Sequence, residues 1–190
     1  MLIDVYDFDG TIYDGDSTAD FVRFVLRRHP RLILGLPHVA LAALGVALGR
    51  SSLTQFKSVL FRRMSRCFSL EDEARAFWAS ERTRSRLGAW FQDTPRDLPI
   101  VIASASPEFE LAHAAALLGV SHLIGTQCDM KTGELTGKNC KGEQKIARIR
   151  EVFGEFEVRA MYTDDARADG PLLDIAREKY LVTHGQVKRI

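Results

Sequence analysis

Residues 2–11 read Leu2-Ile3-Asp4-Val5-Tyr6-Asp7-Phe8-Asp9-Gly10-Thr11, an apolar strand that runs directly into two carboxylates. Gly10 and Thr11 indicate that the chain turns after the second carboxylate, so that Asp7 and Asp9 approach one small volume. Two anions this close are costly unless a divalent cation or a proton lies between them. The stretch therefore predicts a hard-metal site, an acid–base pair, or both, at the end of a first strand.

Beyond this strand the chain alternates between strand-like and helical segments. We expect strands at 100–104, 122–127, 158–163 and 180–183, helices at 107–118, 142–153 and 170–178, and a hairpin at 128–137. Residues 17–90 read as several helices, too long for one crossover, and predict a helical cap over the carboxyl edge of the sheet. The expected fold class is α/β: a Rossmann-like parallel sheet flanked by helices, with a core of residues 1–16 and 91–190.

The amino-acid composition is that of an ordinary globular protein. The chain has 190 residues, 46% of them hydrophobic, and a net charge of +1, which predicts a globular protein with a sizeable core. Its three cysteines, Cys67, Cys128 and Cys140, lack the spacing of a zinc site or a disulfide framework. With no signal peptide ahead of the first strand, we expect a cytoplasmic location.

Charge is uneven along the chain. Residues 20–66 carry nine cations against the single anion Asp20, so this segment is strongly basic while the remainder is acidic. Such asymmetry indicates either an anionic partner or a set of solvated basic helix faces. The apolar run 32–48 lies inside the segment and is near the length of a membrane span, but Pro37, His38 and two glycines count against one. It predicts either a surface element at a membrane or a buried part of the cap.

Three further groups of chemical residues follow predicted strands. Ser104 and Ala105 stand just before a helix, where a hydroxyl and free amides can bind an anion or simply cap the helix. Lys141 and Lys145 share one face at the start of another helix and could reach a phosphate. Three carboxylates follow the strand predicted at 158–163, and they indicate either metal coordination or a turn: Asp164, Asp165 and Asp169.

In this order, the four groups resemble the motifs of the haloacid-dehalogenase-like phosphohydrolase superfamily, over essentially the whole chain. Asp7-Phe8-Asp9-Gly10-Thr11 is similar to the first motif, Ser104 to the second, Lys145 or Lys141 to the third, and the acidic cluster to the fourth. A helical cap after the first motif is typical of the phosphoserine-phosphatase-like branch. The fourth motif is one residue longer than in relatives, which leaves Asp164 and Asp165 as alternatives; we favour Asp164 and Lys145.

The resemblance implies a magnesium-dependent phosphatase. Asp7 would attack phosphorus and form an aspartyl-phosphate, and Asp9 would act as acid and then as base. Mg²⁺ would lie among Asp7, Asp9 and the acidic cluster of Asp164, Asp165 and Asp169. Thr11, Ser104, Ala105 and a lysine would bind the phosphoryl oxygens.

Substrate choice is expected to lie in the cap. Within the branch, Phe24-Val25-Leu26-Arg27-Arg28-His29-Pro30, the run 32–48, Cys140 to Lys145 and Asp169-Gly170-Pro171-Leu172-Leu173 are most similar to type C phosphatidylglycerophosphate phosphatases. That similarity implies a lipid phosphate and peripheral contact with the inner face of an anionic membrane. Asp16, Arg62 and Arg63 stand where phosphoserine phosphatases bind an amino-acid substrate, although Asp16 could instead cap a helix. We expect no nucleic-acid partner.

Two alternatives belong to other classes of protein. A receiver-like signalling domain also uses acidic pairs, a hydroxyl and a lysine, but the large insertion after Thr11 and the early nucleophile argue against it. A non-catalytic relative that only binds phosphate would not need both Asp7 and Asp9.

Overall fold

The computed structural model describes residues 1–35, 48 and 53–190, and that part of the chain is built around a seven-stranded sheet. Its strands are β1 (Leu2–Tyr6), β2 (Ile100–Pro107), β3 (His122–Cys128), β4 (Leu135–Thr136), β5 (Glu157–Thr163), β6 (Ala176–Thr183) and β7 (Gln186–Arg189). Across the sheet the order is β4-β3-β2-β1-β5-β6-β7, so the strand that leads into Asp7 is central.

Five neighbouring strands run parallel, and the two edge strands, β4 and β7, run antiparallel to their partners. Val5 of β1 lies opposite Val101 of β2 on one side and Met161 of β5 on the other. The predicted α/β fold with a Rossmann-like parallel sheet is confirmed. In such a sheet the carboxyl ends of the parallel strands meet at one edge, where ligands bind.

Helices connect the strands. Among the described residues, four α-helices lie between β1 and β2: α1 (Ser17–Arg28), α2 (Leu53–Ser65), α3 (Leu70–Ala79) and α4 (Glu81–Arg84). Three follow β2: α5 (Glu108–Leu117), α6 (Glu143–Phe153) and α7 (Gly170–Ile175). Helix α1 starts at Ser17 because the Asp16 carboxylate accepts the Ala19 N–H at 2.8 Å.

The sheet has a separate apolar core on each face. On one face, Val101, Ile149 and Met161 belong to the core closed by α6 and α7. On the other, Phe21 of α1 and Trp78 of α3 lie in one cluster with Tyr6 of β1. The inserted helices therefore share a core with the sheet, and each fully buried large side chain there contributes about 1.5–3 kcal/mol.

The observed elements depart from the prediction near the C-terminus. The helix expected at 170–178 ends at Ile175, because Ala176 already pairs with Val158 as the first residue of β6. Strand β7 was not predicted; it pairs antiparallel with β6 after a turn at His184 and Gly185. The apolar run 32–48 lies mostly outside the described residues, and within them no helix is long and apolar enough to cross a membrane.

Candidate active site

The four predicted motifs meet at one cavity at the carboxyl edge of the sheet. The cavity has a volume of about 190 Å³. Its lining comes from all four segments: Asp7, Asp9, Ser104, Ala105, Lys141, Lys145, Asp164, Asp165, Ala168 and Asp169. The edge of a parallel sheet has thus gathered residues that are up to 162 positions apart in the sequence.

Lys145 is the cation beside the first carboxylate. Its ammonium nitrogen lies 2.7 Å from Asp7 Oδ1 and 2.7 Å from Asp169 Oδ1, and the residue is only 2% exposed. Gly142 is the N-cap residue of α6, and its φ of 57° is rarely adopted by residues other than glycine. Lys141, at the same helix start, is exposed at the mouth of the cavity.

The Asp7–Lys145 pair has unusual titration properties. Burial raises the pKa of Asp7 to about 7, against the opposing effect of Lys145. Burial lowers the pKa of Lys145, but Asp7 and Asp169 more than offset this and hold it above its ordinary value. A buried ammonium held between two carboxylates keeps its charge, and that charge favours the anionic form of Asp7.

In the described part of the chain, Asp9 makes its hydrogen bonds to an amide and a hydroxyl rather than to a cation. Its Oδ1 accepts the Ser17 backbone N–H at 2.6 Å, and its Oδ2 accepts the Ser106 hydroxyl at 2.6 Å. Burial raises the pKa of Asp9 although both hydrogen bonds lower it. The raised pKa makes the Asp9 carboxyl easier to protonate than an ordinary aspartate, which suits an acid–base group.

Asp164 lies against the loop of the first motif. A Cβ added to Gly10, whose φ is 74°, would collide with the Asp164 carboxylate, so glycine at this position leaves room for that side chain. The Thr11 hydroxyl donates to Asp164 Oδ1 at 3.4 Å, and partial desolvation raises the pKa of Asp164.

The other two residues of the acidic cluster are engaged by the protein itself. Asp165 Oδ1 accepts the backbone N–H groups of Arg167 and Ala168, at 3.1 and 2.9 Å. Asp169 accepts the Thr163 hydroxyl at 2.8 Å and lies against Lys145. These contacts hold the loop after β5 in place.

The donor set fits a hard cation. Within residues 1–35, 48 and 53–190, no three His, Cys, Asp or Glu side chains form a ready metal-binding group. All five predicted metal ligands line the cavity. Both carboxylate oxygens of Asp9 and Asp169 contact protein donors, whereas the contacts of Asp7, Asp164 and Asp165 in the described part of the chain involve Oδ1 alone. Two carboxylates, completed by carbonyl and water oxygens, are the ligands that Mg²⁺ prefers.

The second motif supplies the opposite wall. Ser104 is 1% exposed and its Oγ accepts the Ser106 N–H at 3.0 Å. The Ala105 carbonyl oxygen accepts the Thr126 hydroxyl at 2.9 Å. Helix α5 begins three residues later with Pro107 at its N-cap and no side-chain cap, so Ser104 does not cap the helix.

The residues proposed for an amino-acid substrate are not brought together. Asp16 caps α1, and Arg62 forms an ion pair with Glu134 of the β3–β4 hairpin at 2.9 Å. Arg63 lines a different pocket, with His29. None of the three lines the cavity that holds Asp7.

Four residues near the site were not singled out in the sequence. Ser106 contacts Asp9, and its position two residues after Ser104 on the same strand could have indicated this. Farther from the cavity, Thr18 contacts Ser106, and Glu110 contacts Thr18. Lys57 of α2 donates to the Ala105 carbonyl oxygen at 3.3 Å; the basic segment contains it, but nothing local distinguishes it from the arginines around it.

Comparison with known proteins agrees with this geometry. Residues 5–174 match the haloacid dehalogenase-like hydrolase family. The chain is 32% identical to the protein CicA of Caulobacter vibrioides, in an alignment that covers 97% of this chain and 88% of the relative.

Two solved structures are similar in fold. A protein of unknown function from Bordetella pertussis Tohama I aligns with a TM-score of 0.75 at 21% identity, covering 94% of this chain and 88% of the other. A phosphoserine phosphohydrolase-like protein from Francisella tularensis aligns with a TM-score of 0.56 at 15% identity, covering 94% and 86%. With its family match over most of its length, this chain belongs to the haloacid dehalogenase-like hydrolases.

Proposed function

We propose that the protein is a magnesium-dependent phosphomonoester hydrolase that works through an aspartyl-phosphate on Asp7. The observation that carries the proposal is the partly buried Asp7 carboxylate, 2.7 Å from the Lys145 ammonium, in a cavity that also receives Asp9, Ser104 and Asp164. Phosphoryl transfer depends mainly on positioning and charge, and this cavity supplies both. Both carboxylates of the first motif are in place, which favours turnover over phosphate binding alone.

Asp7 acts as the nucleophile. Lys145 favours its ionised form and, with the Ser104 hydroxyl and the Ala105 amide, offers positive charge and donors to the phosphoryl oxygens. Attack by an Asp7 oxygen on phosphorus forms the Asp7–phosphate bond as the bond to the leaving oxygen breaks.

Asp9 transfers the protons. It gives one to the leaving oxygen in the first step and takes one from the attacking water in the second, which releases phosphate and restores Asp7. Its neighbourhood of an amide and a hydroxyl, with no cation in contact among the described residues, suits a group that must both hold and release a proton.

Asp7 and Asp164 would hold the magnesium ion. When bound, Mg²⁺ supplies the charge that offsets repulsion between the Asp7 carboxylate and the phosphate dianion. The contact between Asp164 and Gly10 supports this pairing, because it brings the fourth motif against the loop that carries the nucleophile.

Residues 17–90 are proposed as the cap that selects the leaving group, with residues 1–16 and 91–190 as the core. Lys57 is a cap residue that contacts the second motif, at the Ala105 carbonyl oxygen. A cation at this position favours a substrate with a second anionic group beyond the phosphate. A small phosphorylated acid such as phosphoserine meets that condition, and so does a phospholipid phosphate.

Turnover of p-nitrophenyl phosphate tests the reaction class. We expect magnesium-dependent release of p-nitrophenolate over many turnovers, loss of activity in EDTA, and recovery on adding magnesium but little on adding calcium, which prefers more ligands. A receiver-like domain would be phosphorylated once and stop. Full activity in EDTA would contradict the proposed metal, and absence of turnover would contradict the proposed reaction.

A lipid phosphate is the second candidate substrate, because a basic and partly apolar pocket lies elsewhere on the cap. About 570 Å³ in volume, it is lined by Arg28, Arg31 and Arg63 together with Leu32 and Phe68. Basic side chains around apolar surface fit the boundary of an anionic membrane, where each Arg contributes about 1 kcal/mol.

Charge reversal tests this candidate. Arg31→Glu with Arg63→Glu should weaken binding to phosphatidylglycerol vesicles and turnover of a lipid phosphate, and leave p-nitrophenyl phosphate turnover unchanged. These two arginines are preferable to Arg28, which is paired with Glu73 at 2.9 Å. Lys188→Glu with Arg189→Glu, on the exposed strand β7, is the matched control. If phosphoserine is hydrolysed and vesicles are not bound at low salt, the small-molecule substrate is favoured.

A further inference from the structure

A chain of hydrogen bonds runs from Asp9 into the protein and ends at Glu110. The Ser106 hydroxyl donates to Asp9 Oδ2 at 2.6 Å, and Thr18 Oγ1 lies 2.9 Å from Ser106 Oγ. Thr18 Oγ1 is also 2.9 Å from Glu110 Oε2. Thr18, Ser106 and Glu110 are 7%, 3% and 0% exposed, and they belong to α1, β2 and α5. The chain is therefore a buried network assembled by three separate elements.

All three contacts of the network are satisfied together when one of its two carboxyls is protonated. The network has three hydrogen bonds, but the hydroxyls of Ser106 and Thr18 supply only one hydrogen each. If Ser106 donates to Asp9, then Thr18 must donate to Ser106, and Glu110 must donate to Thr18. If Thr18 instead donates to Glu110, the order reverses and Asp9 must carry the proton. With all three bonds made, Asp9 and Glu110 hold one proton between them.

We propose that Glu110 is a positioning residue that stores the proton used by Asp9 and passes it through Thr18 and Ser106. The inference rests on the proposed function, in which Asp9 protonates the leaving oxygen. Nothing in the sequence pattern singles out Glu110; only the fold connects it to the site.

The transfer balances without any further reactant. The Glu110 proton moves to the Thr18 oxygen, the former Thr18 hydrogen moves to the Ser106 oxygen, and the former Ser106 hydrogen moves to Asp9 Oδ2. Both hydroxyls are restored with reversed direction, and the negative charge moves from Asp9 to Glu110. After Asp9 has protonated the leaving group, the proton taken from the attacking water returns along the same path.

The surroundings of Glu110 favour storage of a proton. Burial raises its pKa to about 8, and the Asp9 charge acts in the same direction. Hydrogen bonding to Thr18 and Ser17 and the positive charge of Lys57 lower it. From α3, the Trp78 indole N–H donates to the Glu110 backbone carbonyl at 2.6 Å and holds this turn of α5 in place. Glu110 Oε1 has no hydrogen-bond partner in the described part of the chain, as is unfavourable for a buried carboxylate.

Leaving-group dependence separates proton storage from a structural role. Phenyl phosphate and p-nitrophenyl phosphate have similar shapes, but phenolate needs protonation much more than p-nitrophenolate does. For Glu110→Gln, whose amide can hydrogen-bond to Thr18 but cannot release or take up a proton, kcat/KM for phenyl phosphate should fall at least about tenfold. For p-nitrophenyl phosphate it should stay within about twofold.

Thr18→Val should give the same pattern, because it interrupts the chain and leaves Glu110 intact. The double variant should lose no more than either single one, as expected for residues that act in one path. Thr83→Val, at another buried threonine, is the matched control and should leave both substrates unchanged. If Glu110→Gln does not fold, Thr18→Val alone decides the question.

Equal losses for the two esters, or no loss for phenyl phosphate, would overturn the proposal. An infrared difference spectrum at pH 7 between wild type and Glu110→Gln provides a test that needs no turnover. It should contain the band of a protonated carboxyl that the variant lacks, and absence of that band would also overturn the proposal. A wild type with the band but without activity on either ester would place the failure in the proposed function.

Discussion

Asp7 and Asp9 are nearly adjacent in the sequence, but they have different kinds of neighbour on the two sides of the cavity. On one side, Asp7 lies against the buried cation Lys145, which is also held by Asp169. On the other, Asp9 meets a backbone amide and the Ser106 hydroxyl, and the next carboxyl along that path is Glu110. The end of β1 brings the two carboxylates together, but their neighbours from other elements give them different chemistry. An ion pair favours a charged nucleophile, and a hydroxyl network favours a group that exchanges protons.

Asp7→Asn tests the charged side with the largest expected effect. The amide keeps the shape of the side chain but cannot act as the nucleophile, so activity should fall on the order of 10⁴-fold or more. Circular dichroism should show an intact fold. Activity within tenfold of wild type would contradict the assignment of Asp7.

Asp9→Asn should slow hydrolysis of the aspartyl-phosphate more than its formation. Because p-nitrophenolate leaves without much help, the variant should release a burst of about one equivalent and then turn over about 10²–10⁴-fold more slowly than wild type. Rapid-quench kinetics measures the burst. A variant that slows uniformly with no burst would show that Asp9 is not the group that activates water.

Lys145→Met tests the ion pair beside Asp7 through its effect on the free energy of unfolding. Removing the cation leaves two carboxylates buried together, and we expect the free energy of unfolding to fall by about 3–5 kcal/mol at pH 8 in metal-free protein. The loss should be smaller at pH 5, where Asp7, with its pKa raised to about 7, is protonated. Lys141→Met, at the exposed lysine of the same helix start, is the control and should change stability by less than about 0.5 kcal/mol. Equal effects of the two substitutions would contradict the difference between the lysines.

For Glu110, at the end of the hydroxyl network, we expect a smaller effect on the free energy of unfolding, and one that depends on pH. Glu110 has a pKa raised by burial to about 8 in the folded chain, against 4.5 ordinarily, so the folded state binds the extra proton between these values. Stability should therefore decline as pH rises from about 4.5 to about 8, by up to a few kcal/mol at about 1.4 kcal/mol per pKa unit. Denaturant unfolding in EDTA should show a weaker decline for Glu110→Gln than for wild type. An identical decline in both proteins would contradict a raised pKa at Glu110.

The difference between the two sides also explains what the sequence could predict. The alternation of strands and helices identified the parallel sheet, and strand-end positions identified the residues that line the cavity, because both are local patterns. The network of Thr18, Ser106 and Glu110 depends on how α1 and α5 pack, so no short stretch of sequence reveals it. Similarly, Arg62 was expected near the substrate, but its partner is Glu134 of a hairpin that is close only in the folded chain.

Trapping the covalent intermediate tests the central claim most directly. Enzyme quenched in acid during turnover of p-nitrophenyl phosphate would be reduced with borohydride, which converts an aspartyl-phosphate into homoserine, and its peptides would be sequenced by mass spectrometry. We predict homoserine at position 7, in higher yield in the Asp9→Asn variant, and unmodified aspartate at position 9 of the wild type. Homoserine at position 9, or none in the peptide of residues 1–23 during active turnover, would contradict the account.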